Sequence, residues 1–411
     1  MLCRSSRQSW PFDGRSCFFD AQDWHWLQDH DGGKRRLIAS YTTAPVRPQV
    51  SLLLLRNLAL VSLSVGVLFL AAVVVPSVST SEPLDFDWPG SRIVAIGDLH
   101  GDLGNTVLLL YGAGVVDDEG NWVGGDTLLI QTGDIVDRGP DGKRLYDFFV
   151  RLKRQAEGVG GRVIQLLGNH DVMNICGDFR YAHPTETKEF GGPGGRRSQF
   201  MDNGEYGQLL RTFPASVKVN GIIFSHAGIP SEYAGMGLRR LTEQLHKELK
   251  DDCKLHNARF YGEMVGGGAH SELFVAGSHG PLWTRVFSIG QMAVICKEVE
   301  ITLSKLGAEK LVVGHTVQES GSIGAWCDGK LLLIDTGISR YVANQPKMLE
   351  IRGNTFLELG LEVAPQSDQG APRVRGTKRR LSVPPLKVPV GKSAKEAGSR
   401  QRSGESRTDE L

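Results

Sequence analysis

Cysteine is scarce in this chain: there are six among 411 residues, and no two form a Cys-x-x-Cys pair. That absence removes a zinc finger and a thioredoxin-like redox centre from consideration. Charge of one sign is also lacking, because the formal net charge is +1. No nucleic-acid partner is therefore expected, although basic residues collect in the last fifty positions. Residues 1–50 show no sustained helical or strand period, and their composition assigns them no function. No methionine lies between Met1 and Met173, so a later start cannot reorganise the amino-terminal region.

One stretch lacks charge altogether. From Asn57 to Val75 the residues are mostly Leu, Val and Ala. As a helix the stretch spans about 28 Å, close to the hydrocarbon thickness of a bilayer. A transmembrane helix or signal anchor over residues 57–76 is expected. Small residues at Ser77, Ser79 and Thr80 keep a cleaved signal, and hence secretion, as the alternative. Arg47 and Arg56 precede the span, and Glu82, Asp85 and Asp87 follow it. The positive-inside rule then places residues 1–56 in the cytosol and the chain after the span in the lumen of the endoplasmic reticulum or secretory pathway. Four cysteines follow the span, Cys176, Cys253, Cys296 and Cys327. There they could pair as disulfides or serve as plain core residues.

Beyond the membrane stretch, short apolar runs recur, and several end on a residue able to bind metal. Ile93-Val94-Ala95-Ile96 leads into Gly97-Asp98-Leu99-His100-Gly101. Thr127-Leu128-Leu129-Ile130 leads to Gly133-Asp134, followed at once by Asp137 and Arg138. Val163 to Leu167 leads into Gly168-Asn169-His170-Asp171, Gly221 to Phe224 into Ser225-His226-Ala227-Gly228, and Leu311 to Val313 into Gly314-His315-Thr316. A buried strand ending in Gly-Asp or Gly-x-His delivers its donor to the carboxyl edge of a sheet, where open α/β folds bind ligands. One such ending is ordinary; five together supply the oxygen and imidazole donors that a pair of divalent cations needs, with one carboxylate shared. Asp98, His100 and Asp134 are assigned to the first metal, and Asp134, Asn169, His226 and His315 to the second. No thiolate lies at these strand ends, which suits Mn, Fe or Zn.

The blocks Gly97-Asp98-x-His100-Gly101, Gly133-Asp134-x-Val136-Asp137-Arg138-Gly139 and Gly168-Asn169-His170 resemble the signatures of the phosphoprotein phosphatase family, the calcineurin-like metallophosphoesterases. The likeness runs over roughly residues 92–340. The continuation through Asp171-Val172-Met173-Asn174-Ile175 to Phe179-Arg180-Tyr181, with Gly280-Pro281-Leu282-Trp283-Thr284-Arg285 and Ile334-Asp335-Thr336-Gly337, resembles the Shewanella-like subgroup. The resemblance implies an α/β fold of two facing β-sheets flanked by helices (αββα), here preceded by the transmembrane helix. It implies two divalent metal ions, His170 as the acid that protonates the leaving oxygen, and Asp137 as its hydrogen-bonded partner. Arg138, Arg285 and Asn169 are implied as phosphate-binding groups. A water bridging two metals is acidic enough to attack phosphorus, and a positioned histidine can supply the leaving group's proton. A phosphoprotein or phosphopeptide is the expected substrate. The chain departs from the family in having Asp171 where Glu is common, so this side chain is expected to reach differently or through water. It also lacks a Ser-Ala-Pro-Asn-Tyr block, which leaves Ser/Thr against Tyr preference open.

The domain layout read from the sequence is a catalytic domain over 82–363 and a basic, disordered tail over 364–411. Lys378-Arg379-Arg380-Leu381-Ser382 reads as a solvated charge run, a kinase site or a patch for acidic partners, and Thr408-Asp409-Glu410-Leu411 resembles a retention signal with an altered first residue. The Gly-rich insert carrying Arg196 and Arg197 reads as a solvated loop, with substrate contact as the alternative. Two other functions fit the same motifs: a dinucleoside polyphosphate hydrolase, and a catalytically silent scaffold of the same fold.

Overall fold

Two six-stranded sheets lie face to face, and buried side chains from both fill the space between them. The computed structural model describes residues 83–251, 275–363 and 374–387. Its strands are β1 (Asp85–Phe86), β2 (Ile93–Ile96), β3 (Leu128–Gln131), β4 (Arg162–Gln165), β5 (Ser216–Val219), β6 (Ile222–Ser225), β7 (Lys310–Val313), β8 (Gly324–Trp326), β9 (Leu331–Leu333), β10 (Lys347–Arg352), β11 (Thr355–Val363) and β12 (Val374–Arg380). Five helices used below are α1 (Leu103–Gly112), α2 (Gly142–Glu157), α3 (Asn169–Ile175), α4 (Pro184–Glu189) and α5 (Gly192–Phe200).

One sheet is ordered β1-β5-β6-β7-β9-β8, the other β12-β11-β10-β2-β3-β4. Strands β2, β3 and β4 are parallel, as are β6, β7 and β9. Parallel strands covered on both faces read as unbroken apolar runs, and β2 and β3 do. Alternation sorts their side chains: Ile93, Ala95, Leu128 and Ile130 join Ile222, Phe224, Val312 and Leu332 in the core shared by the two sheets. Val94, Ile96 and Leu129 are equally buried on the other face. There helices supply the cover: α2 buries Leu145, Phe149, Leu152 and Ala156 at three- and four-residue spacing and packs on β4. Asp102 caps α1 by accepting from the Asn105 backbone N–H at 3.0 Å, a bond of the kind worth about 1 kcal/mol. The expected two-sheet α/β layering is thus present.

Three expectations fare differently: one is untested, one is overturned and one is borne out in part. Residues 57–76 lie outside the described residues, and among those described no helix is long and apolar enough to cross a membrane. The basic segment after residue 364 is not a uniformly disordered tail, because Val374–Arg380 pairs antiparallel with β11. Leu381 and Leu386 are buried in the inter-sheet core. Arg379 sits opposite Glu358 and donates to both its oxygens, Nε to Oε1 at 3.0 Å and Nη2 to Oε2 at 2.6 Å. The charge run therefore orders as an edge strand, since its counter-charge lies on a neighbour that local composition does not reveal. Of the cysteines, Cys296 and Cys327 form a disulfide tying the helix Met292–Leu306 to the β8–β9 turn, and Cys176 is also disulfide-bonded. Cys253 lies outside the described residues.

Candidate metal centre and active site

The chain leaves several of the parallel strands through backbone turns too tight for ordinary geometry. His100, Asp134, Asp137, Arg138 and His315 all have positive φ, between 41° and 71°. Asp and His enter the left-handed region more readily than most residues, but each such position still costs about 1–3 kcal/mol. Strain clusters where the site is built. Tight approach explains two glycines. A Cβ on Gly168 would collide with Asp134, and one on Gly314 with the Asp98 carboxylate. Asp171 holds the turns together. Its Oδ2 accepts from the Asp134 and Gly168 backbone N–H groups, both at 2.9 Å, and its Oδ1 accepts from Tyr146 Oη–H at 2.6 Å. Of the two expected possibilities, the shorter acid reaches its partners directly.

The metal-binding candidates converge. Donor atoms of Asp134, His226 and His315 lie within 4.8 Å of one another, as do those of His100, Asp134 and His170. Asp134 belongs to both groups, as expected of a shared carboxylate. His226 Nε2 lies 2.8 Å from Asn169 Oδ1, 3.1 Å from His315 Nδ1 and 3.5 Å from Asp134 Oδ2. Asp98 stands slightly apart: its oxygens accept from the His315 backbone N–H at 3.1 and 3.2 Å, and Oδ1 lies 4.0 Å from His226 Nδ1.

Tautomers decide what this cluster can bind. A backbone carbonyl only accepts, so His226 Nδ1, 2.9 Å from Thr132 O, must carry a proton. By the same logic His315 Nε2 donates to Trp283 O at 3.1 Å, and His100 Nδ1 to Val136 O at 3.2 Å. Burial keeps all three rings neutral, with His226 pushed down to about 3 and His100 and His315 held well below the usual histidine range. His226 Nε2 and His315 Nδ1 therefore face each other at 3.1 Å with bare lone pairs, beside an amide oxygen and a carboxylate. Such a set repels itself unless a cation lies among its members. The carboxylates report the same need. Burial and crowding by Asp335 and Asp134 hold Asp98 well above the usual range, while burial lifts Asp134 to about 7 despite His170 and raises Asp335 to about 6. The residues fit two divalent cations.

Asp335 was not singled out as a site residue, yet it is buried beside Asp98. A signal existed: Leu331-Leu332-Leu333-Ile334 before Asp335 repeats the apolar-run-to-donor pattern of the other strands.

His170, the third member of the His100 group, is held by two carboxylates. His170 Nδ1 is 2.8 Å from Asp137 Oδ2, and its backbone N–H donates to Asp134 Oδ1 at 2.9 Å. Burial opposes a charge on the ring, but Asp134 and Asp137 outweigh it and hold the pKa above the ordinary histidine value. Arg138 and Arg285 are exposed at the rim. Arg285 Nη1 donates to Thr316 Oγ1 at 2.9 Å, while the Arg138 guanidinium lies 5.4 Å from the Tyr181 ring centroid. Both guanidiniums act electrostatically on buried Asp335, partly offsetting the rise that burial causes. Arg196 departs from its reading as a solvated side chain. It is fully buried, because helix α5 turns it inward to meet two carboxylates.

Residues 91–319, more than half of the chain, match the family described as Calcineurin-like phosphoesterase. The Shewanella-like protein phosphatase 1 of Plasmodium berghei is 33% identical over 260 residues, covering 62% of this chain and 68% of that protein. Shewanella-like protein phosphatase 2 of Arabidopsis thaliana is 30% identical over 315 residues, covering 65% and 77%. Among solved structures, the cold-active protein-tyrosine phosphatase of a psychrophilic Shewanella species superposes with a TM-score of 0.57 at 26% identity, over 67% of this chain and 79% of that one. Strand-end donors, inward-turned lone pairs and these likenesses agree: the chain belongs to the calcineurin-like phosphoesterases and, within them, to the Shewanella-like protein phosphatases.

Proposed function

We propose that the chain is a dimetal phosphomonoesterase acting on phosphoproteins. Asp98, His100 and Asp134 would hold one divalent cation, and Asp134, Asn169, His226 and His315 the second, with Mn, Fe or Zn suited to the donors. When bound, the pair supplies Lewis acidity toward water and the phosphate oxygens. Arg138, Arg285 and Asn169 hold the phosphate and offset charge on its outer oxygens. His170, whose ring Asp137 holds through Nδ1, gives its proton to the departing oxygen. The observation carrying this reading is the pair of bare imidazole nitrogens facing each other at 3.1 Å beside Asp134. Phosphopeptide hydrolysis that survives complete chelation would remove it.

One observation favours phosphotyrosine. The exposed Tyr181 ring lies 5.1 Å from that of His170, beside Arg138, where an aryl ester can stack while its phosphate is clamped. The cold-active Shewanella enzyme that this chain resembles at 26% identity is named a protein-tyrosine phosphatase. Matched phosphoserine and phosphotyrosine peptides test this, with a higher kcat/KM expected on phosphotyrosine. Residues 57–76 are assigned to a membrane anchor with the catalytic domain on the lumenal side. The Cys296–Cys327 disulfide supports an oxidising compartment. Protease protection of the catalytic domain in sealed microsomes tests the orientation.

A further inference from the structure

Arg196 is the largest fully buried side chain among the described residues, and a buried guanidinium is retained only where each donor is matched. Here each is. Nε donates to Asn174 Oδ1 at 2.9 Å, Nη1 to Glu186 Oε2 at 2.6 Å, and Nη2 to Asp137 Oδ1 at 2.9 Å and Asn174 Oδ1 at 2.6 Å. Asn174 in turn donates from Nδ2 to both oxygens of Asp137, each at 3.1 Å, and to the His170 carbonyl at 2.9 Å. The Asp137 carboxylate is therefore gripped along one edge by Arg196 and Asn174, and only Oδ2 reaches His170 Nδ1. The rings of Phe179, Phe190 and Phe200 stand 5.0 to 5.6 Å from the guanidinium carbon and keep water off it.

We propose that Arg196 is a positioning residue for proton donation: through Asp137 and Asn174 it fixes the His170 ring, so that the insert carrying α4 and α5 is part of the catalytic machinery. This rests on the phosphomonoesterase reading above. Two properties single Arg196 out from a merely structural ion pair. It bonds the carboxylate that orients the proton donor, and its other partner, Glu186, comes from the same insert, ten residues earlier in the chain. Without Glu186, the fork has nothing to hold its far side.

The test uses the full chain loaded with Mn. Arg196→Lys keeps the charge but not the fork, and Glu186→Gln keeps the shape, so both are gentler than truncation. Arg196→Lys is expected to lower kcat on a phosphoserine peptide about 10- to 100-fold, the range seen when a supporting contact is lost, with KM unchanged. On 4-nitrophenyl phosphate, whose leaving group needs little protonation, the loss should shrink to a few-fold. Glu186→Gln should show the same split, smaller. Adding Arg196→Lys to His170→Asn should cost nothing further, because both act on one proton transfer. Equal losses on both esters, full additivity with His170→Asn, or an unchanged kcat with a lowered melting temperature would each overturn the proposal. A wild-type chain inactive on both esters would instead remove the phosphatase reading beneath it.

Discussion

Replacing Asp134 by Asn should abolish catalysis while making the metal-free protein more stable. The shared carboxylate is buried, and its pKa is lifted from 3.8 to about 7, so the fold without cations resists its ionised form. Because the folded-state pKa lies above the unfolded one, the cost is absent below about pH 3.8 and complete above about pH 7. At pH 8 it amounts to about 4 kcal/mol, falling to about 2 kcal/mol at pH 5. The amide keeps an oxygen for the His170 backbone N–H, now 2.9 Å from Oδ1, and can turn its NH2 toward His226 Nε2, 3.5 Å from Oδ2. Chelated Asp134→Asn should therefore melt about 10 °C above chelated wild type at pH 8, with the gap narrowing toward pH 5. Adding Mn should reverse the order, because only the wild type gains the full binding energy of two cations. Turnover should drop by several orders of magnitude. Thermal melts by circular dichroism at the two pH values, with and without metal, decide the matter. A chelated variant less stable than chelated wild type at pH 8 would refute the reasoning.

Other outcomes follow from the same contacts. His170→Asn should lower kcat about 10²- to 10⁴-fold on alkyl phosphates and much less on aryl phosphates; an equal loss on both would take the proton-donor role from His170. Glu358→Gln should weaken the bond to Arg379 and loosen β12, costing about 1–2 kcal/mol in denaturant titrations, with no change in kcat. Burial raises the Glu358 pKa, but the bonds from Arg379 and Ile323 outweigh it and the net shift is downward, so that contribution is present near neutrality and lost as pH falls through the folded-state value. Replacing Cys296 and Cys327 by Ser opens a loop of 31 residues and should cost about 4 kcal/mol, read as a lower denaturation midpoint.

What could be read from the chain was what is local. A strand, a glycine turn and a donor lie within about ten residues of one another, so five strand ends and the two-sheet layering were legible. Asp335 obeys the same grammar, following Leu331-Leu332-Leu333-Ile334 directly, but without the glycine that marks the other strand ends. Arg196 could not be read this way. The string Gly191-Gly192-Pro193-Gly194-Gly195 looks like a loop, and its partners Asp137 and Asn174 lie 59 and 22 residues away. For β12 the deciding facts were also distant, namely Glu358 across the ladder and a core that accepts Leu381 and Leu386. Positive φ at Asp134, Asp137 and His315 is imposed by convergence of several strand ends, and no single segment encodes it. Cysteine pairing fails for the same reason, since Cys296 and Cys327 meet only once the sheet exists.

The most direct measurement is metal stoichiometry followed alongside turnover as a chelator strips the purified chain. The expected result is two divalent ions per chain in the active protein, with hydrolysis of a phosphotyrosine peptide lost in step with them and restored by Mn. Full turnover in a chain that holds no metal would contradict the account.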